Sequence, residues 1–223
     1  MLKILEKSPL FKGLSLEEIE RFVQHSGSHT ATYTKNQIIF DMQQKPEYMY
    51  VLLKGAIAIC KDSISGKRMV MTNIDDIGDI FAEVFLFLPK ESYDYYTVAI
   101  TNEITLLKIP KTAFSNDPQD YIQHRLVYNM LIILSQKAYN LTQKLQILAS
   151  GNLRQKLSKM MLDAMDEEGN VLFSMTREQM ADYLNVARPS LSRELANMQT
   201  EGLIEVKGRV VKVLDPEALE FDL

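Results

Sequence analysis

Two arginines and two serines fall on one face of a short stretch, Arg188-Pro189-Ser190-Leu191-Ser192-Arg193, away from the apolar positions Leu191, Leu195 and Met198. A guanidinium is a planar fork of N–H donors that matches paired acceptors, such as O6 and N7 of guanine. A serine hydroxyl reaches either a base edge or a phosphate. A helix that starts here also turns its positive dipole end towards an anion. Two more cations follow in Lys207-Gly208-Arg209, between the strand-like runs Leu203–Val206 and Val210–Val213. A charged helix face by itself is just as well a solvated surface. The elements that position it therefore decide.

Those elements arrive in order. Thr176-Arg177-Glu178-Gln179 is a capping box, opening a helix that runs to about Leu184. Asn185 stands where the chain must turn sharply, and asparagine tolerates left-handed backbone. Pro189 falls where the first residue of a second helix belongs, and that helix runs to about Thr200 before Gly202 closes it. Met180, Ala181, Leu184, Val186, Leu191, Leu195 and Met198 make the packing face, with the small Ala181 where the two helices meet. This is the pattern of a helix-turn-helix followed by a basic wing, and its ligand is double-stranded DNA. The DNA-facing candidates are Thr176, Arg188, Pro189, Ser190, Ser192, Arg193, Lys207 and Arg209.

Upstream, the spacing predicts one long helix over about 118–149. Val127, Leu131, Leu134, Ala138, Leu141, Leu145 and Leu148 alternate at four and three residues. The stripe could simply pack on the chain's own β domain, but a seam that narrow suits a partner helix better, so a second copy of the chain is expected against it. Ser150-Gly151-Asn152 stops the helix and caps the next, which makes it the expected hinge. Leu153, Leu157, Met160, Met161 and Ala164 then form an amphipathic helix. Residues 28–114 have a different texture. Seven short β-branched and aromatic runs alternate with turns such as Lys54-Gly55, Ser65-Gly66-Lys67 and Ile77-Gly78-Asp79, as in a small sandwich or barrel. An earlier capping box, Ser15 to Glu18, starts a helix before them.

The formal net charge is −4, and the acidic excess falls wholly after residue 149, so DNA binding is argued from where particular cations sit. The single cysteine, Cys60, excludes a disulfide scaffold, a cysteine-based zinc site and an iron–sulfur cluster. It reads as a small buried hydrophobe. No apolar run approaches the about 20 residues of a membrane span, and the charged start Met1-Leu2-Lys3-Ile4-Leu5-Glu6-Lys7 is no signal peptide, so the cytoplasm is expected. Neither a nucleophile elbow, a P-loop nor a Rossmann fingerprint is present, and no catalytic residue is assigned. His25, His29 and His124 leave haem formally open. Gly27, however, breaks any continuous helical face joining His25 and His29, and surface or core histidines are expected.

With these segments in view, the chain resembles the Crp/Fnr family of bacterial transcription regulators along nearly its whole length. The resemblance is carried by Ser8-Pro9-Leu10-Phe11-Lys12-Gly13-Leu14-Ser15, Tyr50-Val51-Leu52-Leu53-Lys54-Gly55, Ile77-Gly78-Asp79-Ile80-Phe81-Ala82-Glu83, the long helix, and Thr176 to Gly202. It implies an α+β chain with an N-terminal jelly-roll effector domain (1–117), a dimerisation helix (118–149) and a winged helix-turn-helix domain (150–223). It also implies a homodimer on a pseudo-palindromic operator, with RNA polymerase as a further partner if the protein activates. Ala82, Glu83, Tyr95, Tyr96, Thr97 and Thr142 occupy the effector-side positions. Relatives that bind nucleotide hold the ribose with a Glu, matched here by Glu83, and the cyclic phosphate with an Arg-Ser pair. The matching region here reads Ser92-Tyr93-Asp94-Tyr95-Tyr96-Thr97, with no arginine and a repelling Asp94, so cyclic AMP is not the expected effector. The tyrosines either accept a neutral or aromatic small molecule or simply fill space. A Glu of the family's recognition helix is replaced by Pro189 while Arg193 is retained, so the half-site is expected to differ from the family's common one.

Two other readings are weighed against this. One is a metal-dependent enzyme on a cupin-like barrel, which needs two or three clustered histidines. The other is an effector-binding subunit without DNA binding, which leaves Thr176 to Gly202 unexplained.

Overall fold

The computed structural model describes residues 1–63, 66, 68–114, 120–173 and 175–221. Ser65 and Lys67 of the expected turn, Pro118 at the expected helix start, the 117/118 boundary and the last two residues lie outside them. The chain divides into two compact units, Met1–Ser135 and Gln136–Leu223.

The first unit begins with α1 (Leu2–Leu5) and α2 (Leu16–His25). The predicted capping box is formed: Ser15 Oγ accepts from Glu18 N at 3.2 Å, and Ser15 N donates to the Glu18 carboxylate at 2.7 Å. Eight strands follow: β1 (His29–Tyr33), β2 (Ile38–Phe40), β3 (Tyr48–Lys54), β4 (Ile57–Asp62), β5 (Arg68–Ile74), β6 (Ile80–Phe81), β7 (Tyr96–Ala99) and β8 (Ile104–Pro110). The short helix α3 (Glu83–Phe87) lies between β6 and β7. The strands form two four-stranded antiparallel sheets, ordered β1-β8-β3-β6 and β2-β7-β4-β5. Each sheet takes strands from both ends of the region, which is a jelly roll. Gly55 makes the β3–β4 turn at φ +86°, where a Cβ would stand 2.4 Å from the Glu103 carbonyl oxygen, so only glycine fits.

Aromatic rings fill the core between the sheets. Phe40 stacks on Tyr93 at 4.0 Å and on Tyr50 at 5.5 Å, and Tyr50 stacks on Phe81 at 5.0 Å. Burial pushes the Tyr93 phenol up to about 12, and the Tyr50 phenol further in the same direction. These hydroxyls stay protonated in the core, where an anion would lose its hydration.

Helix α4 (Tyr121–Ala149) is 29 residues long and unbroken. The Asp120 carboxylate accepts from Ile122 N and Gln123 N and satisfies its first turn. In its first half, Ile122, Leu126 and Met130 are spaced by four and buried against the first unit. The buried Asn129 amide donates to the carbonyls of Leu10 and Lys12 at 2.8 and 2.9 Å, tying the helix to the N-terminal segment.

The second unit contains the rest of α4, then α5 (Leu153–Ala164), β9 (Asn170–Leu172), α6 (Arg177–Tyr183), α7 (Arg188–Thr200), β10 (Ile204–Lys207), β11 (Val210–Val213) and α8 (Pro216–Phe221). Its strands make one sheet, ordered β10-β11-β9, so the wing is a three-stranded sheet rather than the bare hairpin the sequence suggested. One core gathers Leu157, Met161, Met180, Leu184, Leu191, Leu195 and Met198 with Ile147 of α4. Each fully buried side chain of this size contributes roughly 1.5–3 kcal/mol. The Lys144 ammonium lies 4.8 Å over the Tyr183 ring, a second tie from α4 to the helix-turn-helix. Ser150–Asn152 therefore sits inside the second unit, bridged by Ile147 and Lys144. A hinge motion at that turn has to break both contacts. Among the described residues, no helix is long and apolar enough to cross a membrane.

Candidate nucleic-acid interface

The predicted turn is realised residue by residue. Thr176 caps α6, its Oγ1 accepting from Gln179 N while its own N–H donates to the Gln179 side chain. Asn185 adopts φ 54°, the left-handed conformation expected of it. Arg188 is the first residue of α7 and Pro189 the second, one place later than the sequence reading had it. Proline is equally at home there, because the second N–H of a helix also lacks an intrahelical partner.

Leu191, Leu195 and Met198 are buried on one side of α7, whereas Arg188, Pro189, Ser190, Ser192 and Arg193 are all exposed. Two guanidinium forks and two hydroxyls thus face solvent from the first two turns of one helix. Lys207 and Arg209 are exposed at the wing tip. The Lys207 ammonium is engaged by the Glu205 carboxylate at 2.8 Å, an ion pair that holds the Glu205 acid below its usual range. Arg209 therefore stands as the less encumbered cation. We expect Arg209→Ala to weaken binding to all DNA sequences alike and to flatten the slope of log K against log salt by about 0.9. Lys207→Ala changes the slope less, because Glu205 competes for that charge. Titrations at four salt concentrations check both. A sequence-dependent loss for Arg209→Ala would remove it from the backbone contacts.

Sequence reasoning missed Arg177. Its guanidinium donates to the Gly208 carbonyl at 3.5 Å, and it lines a groove of about 300 Å³ with Ser192, Gln199 and Val206. Partial burial pulls its pKa down. Its place in the capping box of α6 was visible, but its reach to the wing was not. The Gln199 side chain accepts from Val206 N at 3.0 Å, which joins α7 to the wing.

The effector-side candidates do not all come together. Ala82 takes φ 62° at the start of α3, a conformation that costs a non-glycine residue about 1–2 kcal/mol, and Glu83 after it is 2% exposed. Tyr95 packs on Phe40 and Phe85, and its phenol is raised by burial and by nearby Glu83. Thr97 is fully buried, with a hydroxyl that makes no hydrogen bond. Tyr96 goes elsewhere. It packs with Ala58, Cys60 and Val98 in a separate cluster, and its hydroxyl accepts from Arg68 Nε and donates to Asp62, both at 2.8 Å. Alternation along β7 sets it on the face opposite Thr97. Thr142 belongs to the second unit and donates to the Ala138 carbonyl. Asp94 is paired with Lys90 at 2.9 Å. His25 and His29 bond to the backbone carbonyls of Arg21 and Gly27.

Two family descriptions match the chain in the order of its two units. Residues 30–116 match the cyclic nucleotide-binding domain, and residues 155–221 match the Crp-like helix-turn-helix domain. The chain belongs to the Crp/Fnr family. Among Crp/Fnr relatives, it is 21% identical over 206 residues to the cAMP-activated global transcriptional regulator Vfr of Pseudomonas aeruginosa, covering 89% of this chain and 94% of Vfr. It is 26% identical over 218 residues to the probable transcriptional regulator flp of Lacticaseibacillus casei, covering 95% and 94%. The crystal structure of the Thermus thermophilus catabolite activator protein shares the Crp/Fnr fold, with a TM-score of 0.54 at 19% identity, over 96% of this chain and 98% of that one.

Part of the α4 seam is exposed on the single chain. Leu131, Leu141 and Leu145 are 59%, 58% and 57% exposed, and Val127 and Ala138 are exposed as well. Leu134 and Leu148 are half-buried, Leu134 against the first unit's core. On the single chain this is a row of exposed leucines at heptad spacing, the pattern that a partner helix covers in a coiled coil.

Proposed function

We propose that this Crp/Fnr chain is a cytoplasmic, homodimeric transcription regulator that reads a pseudo-palindromic DNA operator. The observation that carries the reading is the exposed Arg188, Ser190, Ser192 and Arg193 face of a helix whose opposite face is sealed into a core. The exposed part of the heptad seam supports the dimer, with one recognition helix per half-site and half-sites one helical turn apart. RNA polymerase joins as a partner if the operator lies upstream of an activated promoter. The relatives named above are regulators, which favours this reading over a cupin-like enzyme or a DNA-free subunit. Among the described residues, no three metal-ligating side chains are grouped to hold an ion.

The effector we infer is not cyclic AMP, although Vfr is named for that activator. No arginine lies between Arg68 and Arg125 to meet a cyclic phosphate, and stacked rings occupy the jelly-roll core. Adding 1 mM cyclic AMP is expected to leave the melting temperature unchanged. A ligand present at 100 times its Kd adds about 2.7 kcal/mol, so a rise of a few degrees would overturn the inference. The function itself is tested by selecting bound sites from random duplexes with the full chain. A two-fold-symmetric motif with guanine in each half is expected, and no enrichment would refute the reading.

A further inference from the structure

We propose that Arg154, on the first turn of α5, is a positioning residue that sets the rotation of the recognition helix and hence its sequence specificity. This rests on the DNA-reading function proposed above. Arg154 touches neither the exposed face of α7 nor the wing. Each of its three guanidinium nitrogens is engaged: Nε donates to Glu194 Oε1 at 2.7 Å, and Nη1 and Nη2 donate to the two Glu201 oxygens at 2.6 Å. The hold on Glu201 is bidentate, the geometry that fixes direction as well as distance. Arg154 is 26% exposed and Glu194 21% exposed, so that arm of the network is partly shielded from water, while Glu201, at 45%, lies at the surface. The same pairing holds the Glu201 acid below its ordinary range.

The placement of the two glutamates gives the clamp its leverage. They are seven residues apart, two turns, and so share one side of the helix. That side lies between the buried stripe of Leu191, Leu195 and Met198 and the exposed Arg193, which precedes Glu194 by one residue, about 100° round the helix. On the other flank, Gln199 accepts from the wing at Val206 N. An apolar stripe alone resists separation more than rotation, because it is non-directional. One directional tie on each side of that stripe fixes the angle at which Arg188, Ser192 and Arg193 leave the helix.

The alternative is that the cluster acts only through charge, and the two accounts predict opposite signs. If charge alone matters, removing the carboxylates relieves repulsion of phosphate and tightens binding to every sequence, while losing Arg154 weakens it everywhere. If position matters, both changes lower discrimination between the selected operator and a version altered at the guanine read by Arg193. We expect R154A and the double variant E194Q/E201Q each to reduce the operator-to-altered-site affinity ratio about tenfold. R154K, which keeps the charge and loses the fork, should recover only part. Combining R154A with E194Q/E201Q should add no further loss. Full-length proteins are compared by equilibrium titration, with circular dichroism confirming the wild-type helix content of each. Should R154A lose helix content, E194Q/E201Q and R154K decide the matter. An operator-selective wild type with an unchanged ratio in the variants, or tighter binding of E194Q/E201Q to all sequences, overturns the positioning role and leaves the function standing. A wild type that selects no site overturns both.

Discussion

Replacing Leu141 and Leu145 together by lysine is expected to turn the proposed homodimer into a monomer. Each is more than half exposed on the single chain, so the substitution removes nothing from either core and the isolated fold survives. Across the seam, the same change sets four ammonium groups where leucines would interdigitate, and burying unpaired charge there is prohibitive. Sedimentation shows the association state directly. The DNA consequence is larger. Two linked reading helices bind with an avidity about 10²–10⁴-fold beyond one half-site, and a monomer forfeits that factor. A double lysine variant that sediments as a dimer with intact operator affinity would move the interface off α4.

The second large effect is at Arg193. Arg193→Ala is expected to cost about 1–3 kcal/mol in operator binding and to relax preference at one base pair per half-site. Binding to unrelated DNA should change far less, because that term comes from backbone cations such as Arg209. Site selection repeated with the variant reports both. Undiminished preference at every position would mean that Arg193 faces away from the bases. Pro189 sharpens the test, since it has no side-chain acceptor for a base amino group. The position beside the guanine is expected to be less constrained than where a glutamate stands.

Local chemistry in the sequence foretold much of this fold. Seven of the first unit's eight described strands are written in β-branched and aromatic runs. The eighth, Ile80–Phe81, is two residues long and exists only because Tyr50 and Val51 pair with it. Strand β9 escaped notice for the same reason, as Asn170–Leu172 follows a turn and gains its partner only from Val210–Lys212. The helix-turn-helix was legible because capping boxes, a left-handed asparagine and a proline near the start of α7 are local signals. The resemblance sets Tyr95, Tyr96 and Thr97 side by side in one effector region, whereas strand alternation puts Tyr96 on the other face. The Arg154 clamp had no sequence signal. Forty residues separate Arg154 from Glu194, and only the packing of α5 against α7 joins them.

Ile147 has an evolutionary consequence. The last turn of the long helix is sealed into the core that supports α7, so that turn and the reading head are inherited together. Adding or deleting a residue between Leu141 and Ile147 would swing everything downstream by about 100°, re-aiming the head without altering any base-facing side chain. Divergence in operator spacing among descendants of such a protein would then be written in the length of α4, while the recognition helix stayed unchanged.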